Sequence, residues 1–194
     1  MIAGIVLAAG KSVRMGTLKP LLPLGGKTVI EIVIERVRSR LERVVVVLGH
    51  QADEVLPVLG PYPVECLVNP DYVTGMLSSV QCGIRALGEV EGCLICLADQ
   101  PGITPQTMDS LLQAATVSGQ GILIPTYQGR RGHPVLLKHP YALKVLALSP
   151  EQGLDRVTRG YPGDTLEVAV DSREILEDMD TPADYQREQS KYRI

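Results

Sequence analysis

The chain has 194 residues, of which 45% are hydrophobic and 21% charged, a composition that predicts one globular domain over residues 1–194. Its 19 Lys and Arg residues against 22 Asp and Glu residues give a formal net charge of -3, so the surface as a whole does not attract nucleic acid or anionic lipid. The sequence has no Trp or Phe to stack on single-stranded bases. No apolar run approaches the roughly 18 residues of a membrane-spanning helix. We therefore expect a soluble, cytoplasmic protein with no nucleic-acid and no membrane partner.

Apolar runs that suit buried strands alternate along the chain with segments of helical period. This alternation predicts an α/β fold, a single three-layer Rossmann-like domain with a mostly parallel sheet and helices on both faces. Strands are predicted over 2–7, 44–48, 64–68, 93–97, 121–125, 135–137 and 166–170, with an exposed loop over 126–134. Helices are predicted over 29–41, 52–59, 77–87, 105–117, 154–159 and 182–190.

Local signals support some of these boundaries. The first apolar stretch is interpreted as a strand and not as a leader peptide, because the nearest basic residues follow it instead of preceding it. Three predicted helices begin at a threonine that can cap them. Thr28 has Glu31 three positions later, and Thr104 and Thr181 each stand directly before proline.

Cys93 and Cys96 have the C-x-x-C spacing that occurs in zinc and redox sites. They fall, however, within the continuous apolar run that predicts the strand over 93–97. Residues three apart on a strand face opposite sides of the sheet, so the two thiols can neither share a metal ion nor form a disulfide. We predict buried, reduced cysteines, which are typical of a reducing compartment.

The strongest local pattern follows the first predicted strand. It is the run Leu7-Ala8-Ala9-Gly10-Lys11-Ser12-Val13-Arg14-Met15-Gly16, with Lys19 shortly after it. Small residues let the backbone approach a ligand, and Gly10 permits a turn whose amides can bind phosphate oxygens. Arg14 and Lys19 would add positive charge at the usual ligand edge of an open α/β sheet. The two common phosphate-binding patterns, G-x-G-x-x-G and G-x-x-x-x-G-K-[ST], are both missing. From composition alone, a solvated loop with surface cations explains the run equally well.

The run closely resembles the signature L-A-A-G-x-S-x-R-M-G-x-x-K of nucleotidyltransferases, specifically the molybdenum cofactor cytidylyltransferases. The resemblance continues in order through G-M-L-S-S-V at 75–80, L-A-D-Q-P at 97–101, G-H-P-V at 132–135 and D-M-D-T-P at 178–182. It implies a nucleotidyltransferase domain in which Arg14, Lys19 and Asp99 are catalytic. The nucleotide-binding residues that it implies are Leu7, Ala8, Ala9, Gly10, Lys11, Ser12, Arg14, Lys19 and Ser79.

Two aspartates are candidate magnesium ligands. Asp99 follows the strand predicted over 93–97, at the same sheet edge as the glycine loop, and Asp180 precedes a helix start. Magnesium binds a few carboxylates together with substrate phosphates and water, and the resemblance implies that Asp99 and Asp180 hold Mg²⁺ at the triphosphate. The alternatives are a turn residue for Asp99 and a helix cap for Asp180. Asp178 replaces Asp180 if the motif is aligned two residues earlier.

The remaining motifs concern the base and the second substrate. Ser79 is near the start of a predicted helix, and the resemblance implies that it lies near a pyrimidine base; a plain helix cap is the alternative. Ala9 favours CTP, because the guanylyl-transferring relatives resemble L-A-G-G at this place. Arg130, Arg131 and His133 are candidate contacts for an anionic pterin substrate, although a lone histidine before proline is more often structural.

The resemblance implies transfer of CMP from CTP to molybdenum-bound molybdopterin, with release of pyrophosphate. The acceptor phosphate is already ionised, so catalysis would rest on positioning and charge neutralisation. Three alternatives stay open: a guanylyltransferase for the same cofactor, a nucleotidyltransferase for another small phosphorylated acceptor, and a non-catalytic carrier of the molybdenum cofactor. The expected partners are CTP, molybdenum-molybdopterin and, for the product, a recipient molybdenum enzyme.

Overall fold

A computed structural model describes residues 1–12 and 15–192 of the chain. The strands are β1 (Ile2–Ala8), β2 (Pro23–Leu24), β3 (Lys27–Thr28), β4 (Val44–Leu48), β5 (Glu65–Val68), β6 (Gly92–Leu97), β7 (Ile122–Tyr127), β8 (Arg130–Arg131), β9 (Val135–Lys138) and β10 (Thr165–Ala169). The helices are α1 (Val29–Arg38), α2 (Ala52–Leu59), α3 (Met76–Leu87), α4 (Pro105–Val117), α5 (His139–Leu146), α6 (Asp155–Thr158) and α7 (Pro182–Lys191).

The main sheet has the strand order β10-β7-β9-β6-β1-β4-β5, and β8 pairs with β7 outside this path. The neighbours β5, β4, β1 and β6 run parallel to one another, as do β10 and β7. Strand β9 is antiparallel to both of its neighbours. The prediction of an α/β fold with a mostly parallel sheet is therefore confirmed.

Helices cover both faces of this sheet, as the sequence predicts. Along β1, Val6 and Ala8 pack into a core with α1, α2 and α4. Ile5 and Leu7 pack into a second core with α3 and α5 on the opposite face. Because both faces are buried, the central strands are continuous apolar runs instead of alternating ones.

The helices differ from the prediction in three places. The helix predicted over 29–41 ends at Arg38, and the helix predicted over 154–159 is the four-residue α6. Helix α5 was not predicted; it follows β9 directly and has Pro140 in its first turn, where the missing N–H has no helical partner. Within the described part of the chain, no helix is long and apolar enough to cross a membrane.

The three predicted helix starts are confirmed. The Thr28 N–H donates to the Glu31 carboxylate at 2.7 Å at the start of α1. The Thr181 hydroxyl accepts from the Asp184 N–H at 3.3 Å at the start of α7. Thr104 caps α4 in the same way.

The cysteine prediction is also confirmed. All four cysteines are free. Cys93 and Cys96 are buried in different cores, on opposite faces of β6. Burial raises the pKa of both thiols to about 12, so the C-x-x-C pair is part of the core.

The packing of α3 on β1 can be tested with Ile5→Ala. Ile5 is fully buried, and a Cβ on Gly83 of α3 would lie 2.7 Å from Ile5 Cγ2. Because the helix already rests directly on the strand, we expect the truncation to lower the free energy of unfolding by about 2–5 kcal/mol. The control Val117→Ala, at a residue that is 81% exposed, should change it by less than about 0.5 kcal/mol. Urea unfolding measures both, and equal effects would contradict this packing.

Candidate active site

The loops that leave the parallel strands meet at one edge of the sheet and surround a cleft of about 430 Å³. Its lining residues are Leu7, Ala8, Ala9, Gly10, Ser12, Lys19, Pro20, Tyr72, Gly75, Met76, Ser79, Leu97, Ala98, Asp99, Asp178 and Asp180. The lining residues from β1 and β6 lie at the carboxyl ends of these strands. Open α/β sheets bind their ligands at this edge.

The loop after β1 forms one wall of the cleft. Gly10 is exposed, and a Cβ there would meet nothing within 4 Å, so the glycine leaves free the space that a ligand would take. The residue with left-handed backbone conformation in this turn is Ser12, with φ of 51°, and not Gly10. The Ser12 hydroxyl accepts the Lys19 N–H at 3.1 Å, which ties the loop to the cation that follows it.

A glycine after β4 brings the neighbouring loops together. A Cβ on Gly49 would lie 2.7 Å from the Tyr72 side chain and 2.8 Å from the Ala9 carbonyl oxygen. Because a larger residue would separate these groups, Gly49 allows Tyr72 to pack against the end of β1. The His50 N–H also donates to the Ala9 carbonyl, at 3.4 Å.

Lys19 joins the two aspartates that the sequence singles out. Its Nζ lies 3.1 Å from Asp99 Oδ2 and 2.6 Å from Asp180 Oδ1. The Lys19 side chain is 12% exposed and each carboxylate is 29% exposed, so solvent screens these ion pairs only in part. Burial lowers the pKa of Lys19, but the hydrogen bonds and charges of Asp180 and Asp99 outweigh burial and raise it overall.

The two carboxylates form a donor set that fits a divalent cation. Asp99 and Asp180 approach one positive group from two directions, and their oxygens are the hard ligands that magnesium prefers. Residues 1–12 and 15–192 contain no cluster of three or more His, Cys, Asp or Glu side chains that could hold a metal ion. A metal at this position would therefore need further ligands from the substrate and from water.

Asp178 also lines this end of the cleft. Its Oδ1 accepts from Gln100 Nε2 at 2.8 Å, and the same amide lies 3.4 Å from the Ile175 carbonyl oxygen. Burial raises the pKa of Asp178, and the charges of Asp99 and Asp180 add to that rise. Unlike Asp180, Asp178 is held by an uncharged amide, so the geometry favours Asp180 as the second carboxylate beside Asp99.

Ser79, near the start of α3, also lines the cleft. Ser79 is 3% exposed, and its Oγ lies 3.0 Å from Asn69 Nδ2. Asn69 directly follows β5, which runs parallel to β4 and ends at the same sheet edge. Ser79 is thus bonded to Asn69, the residue that follows β5. It is not a simple helix cap, because Gly75 occupies the cap position of α3.

A second cleft of about 430 Å³ adjoins the first and shares Gly75 and Met76 with it. Arg131, His133 and Arg159 also line it. Burial lowers the pKa of His133 more than the charge of Asp99 raises it, which favours the uncharged ring. Arg131 is paired with Glu167 at 2.8 Å.

The structure brings most of the predicted site residues together, and their roles stay predictions. Lys11 and Arg130 are exposed and are absent from the residues that line the two clefts. Arg14 lies outside the described residues. The sequence reasoning missed Asn69 and Arg159. Asn69 carries the signal that identified Asp99, since it is a polar residue that follows a strand at the ligand edge of the sheet.

The sheet, its edge cleft and the paired carboxylates define an α/β nucleotidyltransferase fold. The family model of the MobA-like NTP transferase domain matches residues 4–167. The chain therefore belongs to this family, and the family resemblance seen in the sequence is confirmed.

Three relatives illustrate the range of the similarity. The molybdenum cofactor cytidylyltransferase of Escherichia coli (strain K12) is 27% identical over 189 residues, 97% of this chain and 95% of its own length. The nicotine blue oxidoreductase of Paenarthrobacter nicotinovorans is 33% identical over 144 residues, 70% of each chain. The crystal structure of an Rv0371c homologue from Mycobacterium sp. strain JC1 is 30% identical, covers 98% of this chain and 96% of its own, and has a TM-score of 0.86.

The ion pairs at the cleft predict a stability effect. Lys19→Met leaves Asp99 and Asp180 facing each other without their ammonium partner, so we expect the free energy of unfolding to fall by about 1–3 kcal/mol. The exposed pair Lys27 and Glu35 provides the control, and Lys27→Met should cost less than about 1 kcal/mol. Urea unfolding at neutral pH measures both. Adding Asp99→Asn to Lys19→Met should recover part of the loss, and no loss in Lys19→Met would contradict the expectation.

Proposed function

We propose that the chain transfers the CMP unit of CTP to the terminal phosphate of molybdenum-bound molybdopterin and releases pyrophosphate. The observation that carries this proposal is the convergence of Lys19, Asp99 and Asp180 in the cleft beside the loop after β1. Membership of the MobA-like family supports nucleotidyl transfer. The likeness to the Escherichia coli cytidylyltransferase over nearly the whole chain supports CTP as the donor and the molybdenum cofactor as the acceptor.

The proposed reaction needs positioned charge more than it needs a base. An ionised oxygen of the acceptor phosphate attacks the α-phosphorus of CTP, and the bond from that phosphorus to the oxygen bridging the β-phosphate breaks. Pyrophosphate leaves with the electron pair, so no proton has to be removed first. Lys19 and Arg14 bind triphosphate oxygens in this scheme, and the backbone at Gly10 gives the phosphates room to approach.

Asp99 and Asp180 are the residues that would hold Mg²⁺. When bound, the ion would neutralise charge on the α-phosphate and on the departing pyrophosphate. The triphosphate competes with the two aspartates for the Lys19 ammonium group, because both are anionic partners within reach of the same side chain. Lys19 is therefore expected to move toward the phosphates when the nucleotide binds.

The acceptor belongs, in this proposal, to the second cleft. Arg131 and Arg159 provide positive charge there for a phosphorylated pterin, and the uncharged His133 provides a hydrogen bond. Because the two clefts share Gly75 and Met76, the acceptor would meet the nucleotide across this common wall. Arg130 is the one predicted acceptor contact that the geometry does not favour.

The deciding experiment is an assay of pyrophosphate release from CTP and from GTP with Mg²⁺, in the presence of molybdenum-loaded molybdopterin, of another phosphorylated acceptor, or of no acceptor. Cofactor binding and redox turnover are measured in parallel. We expect release only when CTP and the pterin are both present. Release with GTP would mean guanylyl transfer, and release with a different phosphorylated acceptor would mean another substrate. Cofactor binding without release would mean a carrier, and redox turnover instead of release would mean an oxidoreductase. Each of these four results contradicts the proposal.

The role of Asp99 can be tested separately with Asp99→Asn. The amide keeps the shape of the side chain but removes the charge that would hold Mg²⁺, so we expect kcat to fall at least about 100-fold. The control Asp109→Asn changes an exposed aspartate on α4 that is paired with Arg40, and it should keep normal turnover. Circular dichroism shows whether both variants are folded. Near-normal turnover in folded Asp99→Asn would remove Asp99 from the metal role.

A further inference from the structure

Asn69 is a buried polar side chain beside the cleft that the proposed reaction does not use. It is 3% exposed, and its Nδ2 lies 2.9 Å from Ser78 Oγ and 3.0 Å from Ser79 Oγ. Ser79 lines the cleft, whereas Ser78 is not among the lining residues. An amide that contacts a hydroxyl in this position controls the direction of the hydroxyl's hydrogen bond.

The backbone fixes which end of the Asn69 amide faces the serines. The Asp71 N–H donates to Asn69 Oδ1 at 3.0 Å, so the oxygen must be on the Asp71 side. The NH₂ group is then on the other side, and it can only donate. Ser78 accepts from it, and the single Ser78 proton points toward the Asp71 and Gly75 carbonyl oxygens, which lie 3.0 and 2.9 Å from its Oγ.

Ser79 therefore accepts from Asn69 and still has its own proton to donate. Within the described part of the chain, no residue accepts a hydrogen bond from Ser79 Oγ. A buried hydroxyl proton without an acceptor is unfavourable, so a ligand atom in the cleft is its natural partner. We propose that Asn69 is a positioning residue that fixes Ser79 as a hydrogen-bond donor to N3 of the bound cytosine.

This inference rests on the proposed use of CTP and adds the way in which the base is selected. N3 of cytosine is an acceptor, whereas N3 of uracil carries a proton. A freely rotating hydroxyl would suit both bases, because a hydroxyl can either donate or accept. With Asn69 bonded to one lone pair, Ser79 can donate its proton to cytosine N3. If Ser79 accepted the uracil N3–H on its other lone pair, its own proton would be left without an acceptor, so the site suits cytosine better than uracil.

Asn69→Asp reverses this direction with little change in shape. The carboxylate accepts the Ser79 proton, so Ser79 then offers only lone pairs to the base, and these suit uracil. Isothermal titration calorimetry with CTP and UTP in the presence of Mg²⁺ gives the two dissociation constants. We expect the ratio of the UTP constant to the CTP constant to fall roughly tenfold or more in Asn69→Asp. In Ser79→Ala the ratio should fall roughly tenfold without a gain in UTP binding.

The matched control is Ser78→Ala, which removes the other hydroxyl bound by the same amide and should keep the ratio unchanged. Equal weakening of CTP and UTP by Asn69→Asp would indicate a purely structural role and would overturn the inference. An unchanged ratio in Ser79→Ala, which does not alter Asn69, would overturn it as well. If CTP is preferred through Ser79 but the protein releases no pyrophosphate, the inference stands and the proposed function fails.

Discussion

The geometry of the cleft depends on the complete enclosure of β1. This strand is hydrogen-bonded along its length to β4 and β6, and helices cover both of its faces. At Gly4, a Cβ would lie 3.0 Å from Val37 Cγ1, so α1 approaches the strand closely. A slip of one residue would exchange the two faces and break both ladders. The carboxyl end of β1 is therefore fixed, and the loop that follows it starts from a rigid position.

Charge then links this rigid end to a distant part of the chain. Lys19 contacts Asp99 across 80 residues and Asp180 across 161 residues. A backbone bond from the Met179 N–H to the Asp99 carbonyl oxygen, at 2.9 Å, holds the segment before α7 against the loop after β6. Since the bond lies next to Asp180, it fixes the spacing of the two carboxylates more firmly than the side-chain contacts alone could. The spacing of the two carboxylates is thus set before any ligand binds, which reduces the ordering cost of binding.

Features of the fold and of the site that depend on neighbouring residues could be predicted from the sequence, whereas those that depend on distant contacts could not. The buried strands were found because a strand with both faces covered is a continuous apolar run, as at 44–48. The two-residue strands β2 and β3 are too short to show any period, and α5 follows β9 without a break. Asp99 could be located from its place after a strand, and Asn69 had the same signal. The contact of Lys19 with Asp180 could not be found from spacing, because it depends on how α7 packs near β6. The resemblance predicted Asp99 and Asp180 as two metal ligands, but the ion pairs of both with Lys19 were not predicted.

Gly75 and Met76 form the boundary that the two clefts share, and the backbone conformation at this boundary requires a glycine. Gly75 has φ of 121°, a conformation that other residues rarely adopt, and it starts α3 without a side-chain cap. The first amides of α3 are thus left at the boundary, where the positive end of the helix favours anionic groups. A donor in one cleft and an acceptor in the other can react only across this boundary. In the proposed function, Ser79 contacts the base on one side of it, and Arg131 and Arg159 contact the acceptor on the other side. Under the proposed function, a substitution within one cleft would therefore change the preference for one substrate without moving Lys19 or the carboxylates that it joins.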